Sequence, residues 1–110
     1  MPSGGPRMTI PTQLVLRALL DDPTAELYGV QIGSAAGLPS GTVHPLLARL
    51  ERIGWVQSRW EDIDPRAAGR PPRRYYRLTS TGIELARNAL ARSYQSRLAP
   101  LRARPVSEQP

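Results

Sequence analysis

The amino-acid sequence predicts a mainly α-helical protein with a two-stranded β-hairpin. Three observations support this fold class. Apolar residues recur at helical spacing through residues 10–53, a strand pattern follows on both sides of a polar, Pro- and Gly-rich stretch at residues 61–72, and a second helical pattern begins after Thr79. With 110 residues, the chain has room for one hydrophobic core.

Three helices are predicted in the first half of the chain. The first begins near Pro11, since proline is favoured in a first helical turn, and ends at residues 21–23. The second covers residues 28–36, because Gly37 suits a left-handed C-terminal cap. The third covers residues 40–53, with Ser40 as its N-cap. Only the short turn at residues 37–39 separates the last two helices.

The hydrophobic pattern changes after Gly54. Residues 55–60 and 73–78 predict two strands joined by a long loop. Thr79 is expected to cap a last helix, and Pro100 is expected to end or kink it because proline disfavours helical geometry in the preceding residue. Two helices joined by a short turn and followed by a hairpin form a winged helix-turn-helix arrangement.

The predicted organisation is one domain with flanking segments. Residues 1–8 form a flexible arm, residues 9–78 the winged helix-turn-helix DNA-binding domain, residues 79–101 a dimerisation helix and residues 102–110 a disordered tail. A domain of this size would leave part of the last helix's apolar line exposed, which indicates a partner helix in a homodimer. The predicted dimer interface comprises Leu14, Ile83, Ala86, Leu90, Tyr94 and Leu101.

The charge balance predicts an anionic partner. The formal net charge is +6, and all 15 basic residues are Arg. A guanidinium group binds phosphate or guanine bidentately, which favours nucleic acid, with an acidic membrane surface as the second candidate. A GC-rich genome produces the same Arg usage, so the charge indicates only a class of partner. No apolar run resembles a signal peptide or a membrane span, and we expect a cytoplasmic protein associated with the nucleoid.

The reactive residue types argue against an enzyme. The chain has no Cys and a single His, His44, so it offers no thiol nucleophile, no Cys-based zinc site and no nucleophile–base pair. The three acidic residues Glu61, Asp62 and Asp64 form a cluster that suits a hard cation, but such carboxylates in a flexible hairpin are more often solvated. We therefore expect no catalytic residue, no metal and no cofactor.

One face of the third predicted helix suits the reading of DNA. Its apolar residues share a sector of roughly 120° and form the buried face, which includes Val43, Leu46, Leu47, Leu50 and Ile53. Pro45 lies inside this helix, and the flexibility of Gly41 four residues earlier can relax the resulting strain. A recognition helix reads bases from its N-terminal residues. The predicted DNA contacts are Ser40, Gly41, Thr42, His44, Pro45 and Arg49.

The hairpin adds a second basic surface. Residues 66–77 contain five Arg and no acidic residue. Arg66 and Arg70, on a loop predicted to be flexible, are expected to contact phosphates or the minor groove. Arg73 and Arg74 are expected to add contacts from the second strand. The alternative is an Arg-rich surface that only promotes solubility.

Three segments resemble the PadR family of bacterial transcriptional regulators: LVLRALLDDPTAELYGVQI, GLPSGTVHPLLARLERIGWVQSRWED and GRPPRRYYRLTSTGIELA. The resemblance spans about residues 12–90 and implies a homodimeric winged-helix protein that usually represses transcription at an inverted-repeat operator. The family's Tyr-Gly pair matches Tyr28-Gly29, which adds Tyr28 to the implied DNA contacts. The family's reading segment matches Ser40 through Pro45, with His44 in place of the usual Tyr.

These inferences predict a sequence-specific DNA-binding repressor. The alternative is a winged-helix adaptor that binds RNA or a protein partner without DNA sequence specificity. The resemblance also implies a small aromatic effector, since some PadR relatives bind phenolic or flat aromatic compounds near the dimer interface. Trp55, Trp60 and Tyr94 are the candidate residues for such a site, although a Trp in a first strand more often serves packing.

Overall fold

The computed structural model describes residues 5–103, with side chains through residue 98. Its elements confirm the mainly helical fold class, and they follow the predicted order with two additions. In chain order they are α1 (Ile10–Asp21), β1 (Leu27–Tyr28), α2 (Gly29–Ala36), α3 (Ser40–Arg52), β2 (Val56–Trp60), α4 (Pro65–Ala68), β3 (Arg74–Leu78) and α5 (Ser80–Ala103).

The sheet has three antiparallel strands in the order β1-β3-β2, one more than the sequence predicts. Strand β3 pairs with β2 from Val56 opposite Leu78 to Trp60 opposite Arg74. On its other edge it pairs with the two residues of β1, where Tyr28 lies opposite Tyr75. A strand of two residues is too short to show an alternating pattern, so the sequence predicts no strand here and places Tyr28 at the start of the next helix.

Two predicted helix caps are confirmed. Gly37 ends α2 with a φ of 71°, in the left-handed region that favours glycine. Thr79 begins α5, since its Oγ1 accepts a hydrogen bond of 2.9 Å from the backbone N–H of Gly82. The C-terminal end differs from the prediction, because α5 passes Pro100 and ends at Ala103.

The core lies between the first three helices and the inner face of the sheet. Leu16 of α1, Ile32 of α2 and Leu47 of α3 are fully buried there. Of the predicted buried face of α3, Val43, Leu47 and Leu50 are buried, and Leu46 is half-buried. Ile53 differs from the prediction, since its side chain is 38% exposed. Ile53 follows the last helical residue as the C-cap, so the helical periodicity no longer fixes its direction.

Helix α5 packs closely on this core because it presents small residues. Ala86 and Ala89 are buried, and a Cβ added to Gly82 would collide with the backbone carbonyl of Trp55. This packing corrects one position of the predicted dimer interface. Ala86 is 0% exposed within one chain, so it has no surface left for a partner. Leu101 lies outside the residues whose side chains are described.

Residues 5–8, predicted to belong to a flexible arm, lie against the body of the protein. The side-chain amide of Gln13 donates a 2.7 Å hydrogen bond to the carbonyl oxygen of Met8. Gly5 lies so close to the indole of Trp55 that an added Cβ would be 2.8 Å from its Cζ2. Residues 1–4 of the predicted arm and residues 104–110 of the predicted tail lie outside the described part of the chain.

Candidate nucleic-acid interface

The residues predicted to read DNA lie together on the outer side of α3, which we call the reading face: Ser40, Gly41, Thr42, His44, Pro45 and Arg49. All are exposed except Thr42, which is half-buried. The helix begins one residue earlier than predicted, since Pro39 is the N-cap and its carbonyl accepts from Thr42 N at 2.9 Å. Ser40 is therefore the first helical residue, and its hydroxyl makes no capping bond.

His44 connects the reading face to the start of α2. A Cβ added to Gly29 would lie 2.8 Å from Cε1 of the His44 imidazole. The imidazole therefore packs on the backbone of Gly29, and only a residue without a side chain leaves that space. The two sequence motifs, Tyr28-Gly29 and Ser40 through Pro45, meet at this contact.

A groove separates the reading face from the hairpin, and we call it the wing groove. Its volume is about 250 Å³. It brings together four of the predicted DNA contacts, which come from separate elements of the chain. The groove is lined by Tyr28, Gly29, Val30, His44, Trp60, Arg73, Arg74 and Tyr76.

Aromatic contacts hold Arg73 at one side of this groove. Its Cζ lies 4.5 Å from the ring centroid of Tyr28. The rings of Tyr28 and Tyr75 form a T-shaped pair whose centroids are 5.7 Å apart. Arg59 covers Tyr75 at 5.3 Å and forms two 2.8 Å hydrogen bonds with Glu26. These hydrogen bonds lower the pKa of the Glu26 carboxyl. Within the described residues, Arg73 has no acidic partner and its charge is available to a ligand.

Arg74, another predicted DNA contact, is held by groups of the protein. Its Nε donates to the hydroxyl of Ser58 at 2.9 Å, and its Nη2 lies 3.4 Å from the carboxylate of Glu51. Ser58 in turn donates to Glu51 at 2.6 Å. The guanidinium also covers the ring of Trp60, 5.3 Å from its centroid. Arg74 therefore ties the last turn of α3 to the sheet and positions Trp60.

The loop between β2 and β3, residues 61–73, is the wing, and it is structured where the sequence predicts flexibility. The carboxylate of Asp64 caps the short helix α4 by accepting from Arg66 N at 3.1 Å. Arg70 forms a bidentate ion pair with Glu61 at 2.7 and 3.0 Å. The same carboxylate accepts from the backbone N–H of Arg73 at 3.2 Å. Within this wing, Arg66 keeps an exposed side chain and Arg70 does not present a free charge.

These hydrogen bonds determine how Glu61 ionises. The hydrogen bond from the Arg70 guanidinium, aided by the backbone N–H of Arg73, lowers the pKa of Glu61 to about 2. The predicted acidic cluster is thus divided, since Glu61 is an ion-pair partner and Asp64 a helix cap. In the part of the chain that the structure describes, no three acidic or His side chains form a group that could hold a metal ion.

The three aromatic residues predicted for a ligand site do not lie together. Trp60 lines the wing groove, whereas Trp55 lines a larger cleft of about 900 Å³ between residues 5–13 and α5. We call this second space the N-terminal cleft. Tyr94 is 55% exposed on α5 and lines neither space.

The fold and the site together define a winged helix-turn-helix protein. The second and third helices are joined by a short turn, a hairpin follows, and a groove with Arg73 at its side lies between the third helix and the wing. The sequence model of the Transcriptional regulator PadR-like family matches residues 19–88. The chain therefore belongs to this family. Within residues 5–103, no helix is long and apolar enough to cross a membrane.

Solved structures of other regulators share this fold. The PcaV transcriptional regulator from Streptomyces coelicolor is 31% identical, with a TM-score of 0.65 over 86% of this chain and 65% of PcaV. The structure of PcaV in complex with its natural ligand is likewise 31% identical, with a TM-score of 0.62 over 84% of this chain and 62% of PcaV. A mutant of S. aureus MepR bound to an oligodeoxyribonucleotide is 24% identical, with a TM-score of 0.60 over 89% of this chain and 65% of MepR.

The similarity to the MepR mutant, at 24% identity, concerns the fold alone. The chain spans slightly less than two thirds of the length of PcaV. No curated protein matches the chain in sequence.

Proposed function

We propose that the protein is a sequence-specific DNA-binding repressor that acts as a homodimer on an inverted-repeat operator. The observation that carries the proposal is the wing groove, which places the reading face of α3 beside the cation of Arg73. The solved MepR complex shows that this fold accommodates an oligodeoxyribonucleotide in another protein. If the protein binds chromosomal DNA in this way, we expect it to be associated with the nucleoid in the cytoplasm.

In this proposal, α3 enters the major groove of DNA. The hydroxyl of Thr42 and the imidazole of His44 face base edges, and the guanidinium of Arg49 reaches a guanine one turn later. Arg66 and Arg73 neutralise phosphates at either side of the wing. Of the DNA contacts predicted from the sequence, those kept in this proposal are Tyr28, Ser40, Gly41, Thr42, His44, Pro45, Arg49, Arg66 and Arg73.

Selection of bound duplexes from a random DNA pool tests the proposal directly. A dimer should enrich a palindromic consensus whose half-sites lie about 34 Å apart, one turn of the double helix. Failure to enrich any DNA sequence, together with binding to structured RNA or to a protein, would favour the adaptor alternative. Placing the consensus upstream of a reporter gene then distinguishes repression from activation.

A sharper test separates the Arg residue proposed to read a base, Arg49, from the one proposed to bind phosphate, Arg73. Arg49→Ala should reduce the preference for the consensus over a random duplex by about tenfold or more, because a bidentate Arg–guanine contact is lost. Arg73→Ala should weaken binding to both duplexes equally. Arg17→Ala is the matched control, since it removes one exposed cation from α1, which contributes no residue to the reading face or to the wing groove.

The homodimer is proposed on the apolar flank of α5. At 100° per residue, Ile83, Leu90 and Tyr94 share one side of this helix, next to the side that packs on the core. Ile83 and Leu90 are half-buried, and Tyr94 is 55% exposed. Leu14 of α1 is half-buried and packs on the core, so we expect it only at the edge of such an interface.

Sedimentation of charged variants tests the dimer. Tyr94→Glu should shift the protein toward the monomer, because it places a charge in the apolar contact. Gln95→Glu changes the charge equally on the next residue, which points away from this flank, and should leave the dimer intact. A wild-type chain that sediments as a monomer at all concentrations would contradict the proposal.

The N-terminal cleft supports a second role, the sensing of a small aromatic effector. Its volume of about 900 Å³ lies within the usual range for ligand sites. The edge of the buried Trp55 borders the cleft, and Arg92 and Arg97 offer charges for an anionic group. In a Trp60→Phe variant, Trp55 is the remaining tryptophan, and excitation near the red edge of tryptophan absorption selects it over the four Tyr residues. Hydroxylated benzoates should quench its emission and weaken DNA binding; unchanged emission and affinity across the panel would reject the role.

A further inference from the structure

Trp60 is a large apolar side chain left exposed beside the reading face. Its indole is 60% exposed, although it lies at the end of β2 and lines the wing groove together with His44. The other tryptophan, Trp55, is buried, so exposure is not a general property of this residue type in the chain. Isolated exposed apolar side chains are common on protein surfaces, but this one lines a groove that also holds the cation of Arg73, which has no acidic partner in the described part of the chain. Its place beside that cation, and not its exposure alone, points to a contact with a ligand.

The indole is held in a defined orientation. Arg74 covers one side of the ring at 5.3 Å, and Arg74 is itself fixed by the hydroxyl of Ser58 and the carboxylate of Glu51. The charge of Arg73 lies in the same groove, over Tyr28. An aromatic surface fixed in advance loses little conformational freedom when it binds a partner. The cation of Arg73, which has no acidic partner among the described residues, favours a partner that is an anion.

The size of the wing groove favours DNA over a small molecule. Its volume of about 250 Å³ is below the roughly 300–1,000 Å³ usual for sites that enclose a small ligand. A bound aromatic compound would therefore remain largely exposed to water. The edge of a DNA strand needs no enclosure, because its deoxyribose rings present apolar C–H groups to the indole while a neighbouring phosphate meets the cation of Arg73.

We propose that Trp60 is a DNA-contact residue, whose indole packs on the deoxyribose edge of the strand that borders the groove read by α3. The inference rests on the proposed DNA-binding function and adds to it an apolar contact between the reading face and the wing. Since every nucleotide carries the same sugar, this contact contributes to affinity and not to sequence preference.

Fluorine NMR of the protein labelled with 5-fluorotryptophan observes both indoles in the intact chain. Trp60→Phe assigns the two resonances, and it is expected to fold because the side chain is exposed. Addition of the selected duplex should shift and broaden the Trp60 resonance, whereas that of Trp55 stays in place. A Trp60 resonance unchanged at saturating DNA would overturn the inference, as would a shift produced by hydroxylated benzoates and not by DNA.

The salt dependence of binding gives an independent measurement. Trp60→Ala should weaken binding to selected and random duplexes by about tenfold each, with the slope of log K against log salt unchanged, because no phosphate contact is lost. Arg73→Ala should reduce that slope by about 1. Gln95→Ala, on the outer side of α5, is the control. If the wild type binds no duplex, the proposed function fails; if it binds and Trp60→Ala binds equally well, only this inference fails.

Discussion

Arg70 and Glu61 form a bidentate ion pair across the wing, with donor–acceptor distances of 2.7 and 3.0 Å. The two residues are nine positions apart in the sequence, and the same carboxylate accepts from the backbone N–H of Arg73. The charge of Arg70 is therefore used inside the hairpin. This pairing changes the expected role of Arg70 from a phosphate contact to a residue that positions the wing.

Replacement of Arg70 separates these two roles. Arg70→Ala should weaken DNA binding by about two- to fivefold, since a partly exposed ion pair is worth little and the wing only loses order. The slope of log affinity against log salt should stay at the wild-type value. Arg66→Ala, which removes an exposed cation of the same wing, should lower the slope by about 1. An equal drop of the slope in Arg70→Ala would restore its role as a phosphate contact.

The ion pair also predicts a pH dependence. The pKa of Glu61 is lowered from 4.5 to about 2, so its stabilising effect is complete above pH 4.5 and is lost as the pH falls through about 2. NMR titration of the side-chain carboxyl carbons measures this directly. In Arg70→Met the pKa of Glu61 should rise toward 4.5, whereas that of Glu26, lowered by Arg59, should stay low in the same sample. A Glu61 pKa near 4.5 in the wild type would contradict the ion pair.

Gly82 is predicted to be the least replaceable glycine of the described chain. Gly82→Ala should destabilise the fold by about 1–3 kcal/mol, because the added Cβ meets the backbone carbonyl of Trp55, which also accepts from Thr79 N. Thermal unfolding measures the loss. Gly41→Ala is the matched control within a helix, since open space surrounds its added Cβ, and it should not lower the melting temperature. Equal melting temperatures for the two variants would contradict this packing.

The contact between Gly29 and His44 predicts coupled effects on DNA binding. Gly29→Ala should leave the melting temperature nearly unchanged, because the exposed imidazole can rotate away from the new Cβ. It should weaken binding to the selected duplex by about three- to tenfold, since the imidazole leaves its place on the reading face. In a His44→Ala background, Gly29→Ala should have no further effect. Independent, additive losses would show that the two residues act separately.

Features that depend on residues close in the sequence could be predicted, whereas features that depend on contacts between distant residues could not. Helix positions, the caps Gly37 and Thr79 and most of the buried face of α3 follow from the sequence. These features depend on backbone geometry and on periodicity within a few neighbouring residues. The three-segment resemblance to the PadR family was equally readable, because it depends on residue order alone.

Other features appear only when distant residues are brought together. The sequence gives Leu27 and Tyr28 no strand pattern, and only the edge of β3 makes them a strand. The line through Ala86 has helical spacing, but whether it faces the core or a second chain depends on how α5 packs.

The wing shows the same division most clearly. The order of residues alone predicts a hairpin that is rich in Arg and follows the third helix. Which of its cations remain available follows only from the folded chain, since the fold pairs Arg70 with Glu61, anchors Arg74 on Glu51 and leaves Arg73 in the wing groove. Charge composition is additive along a chain, whereas ion pairing depends on distances of a few ångströms that only the folded backbone sets.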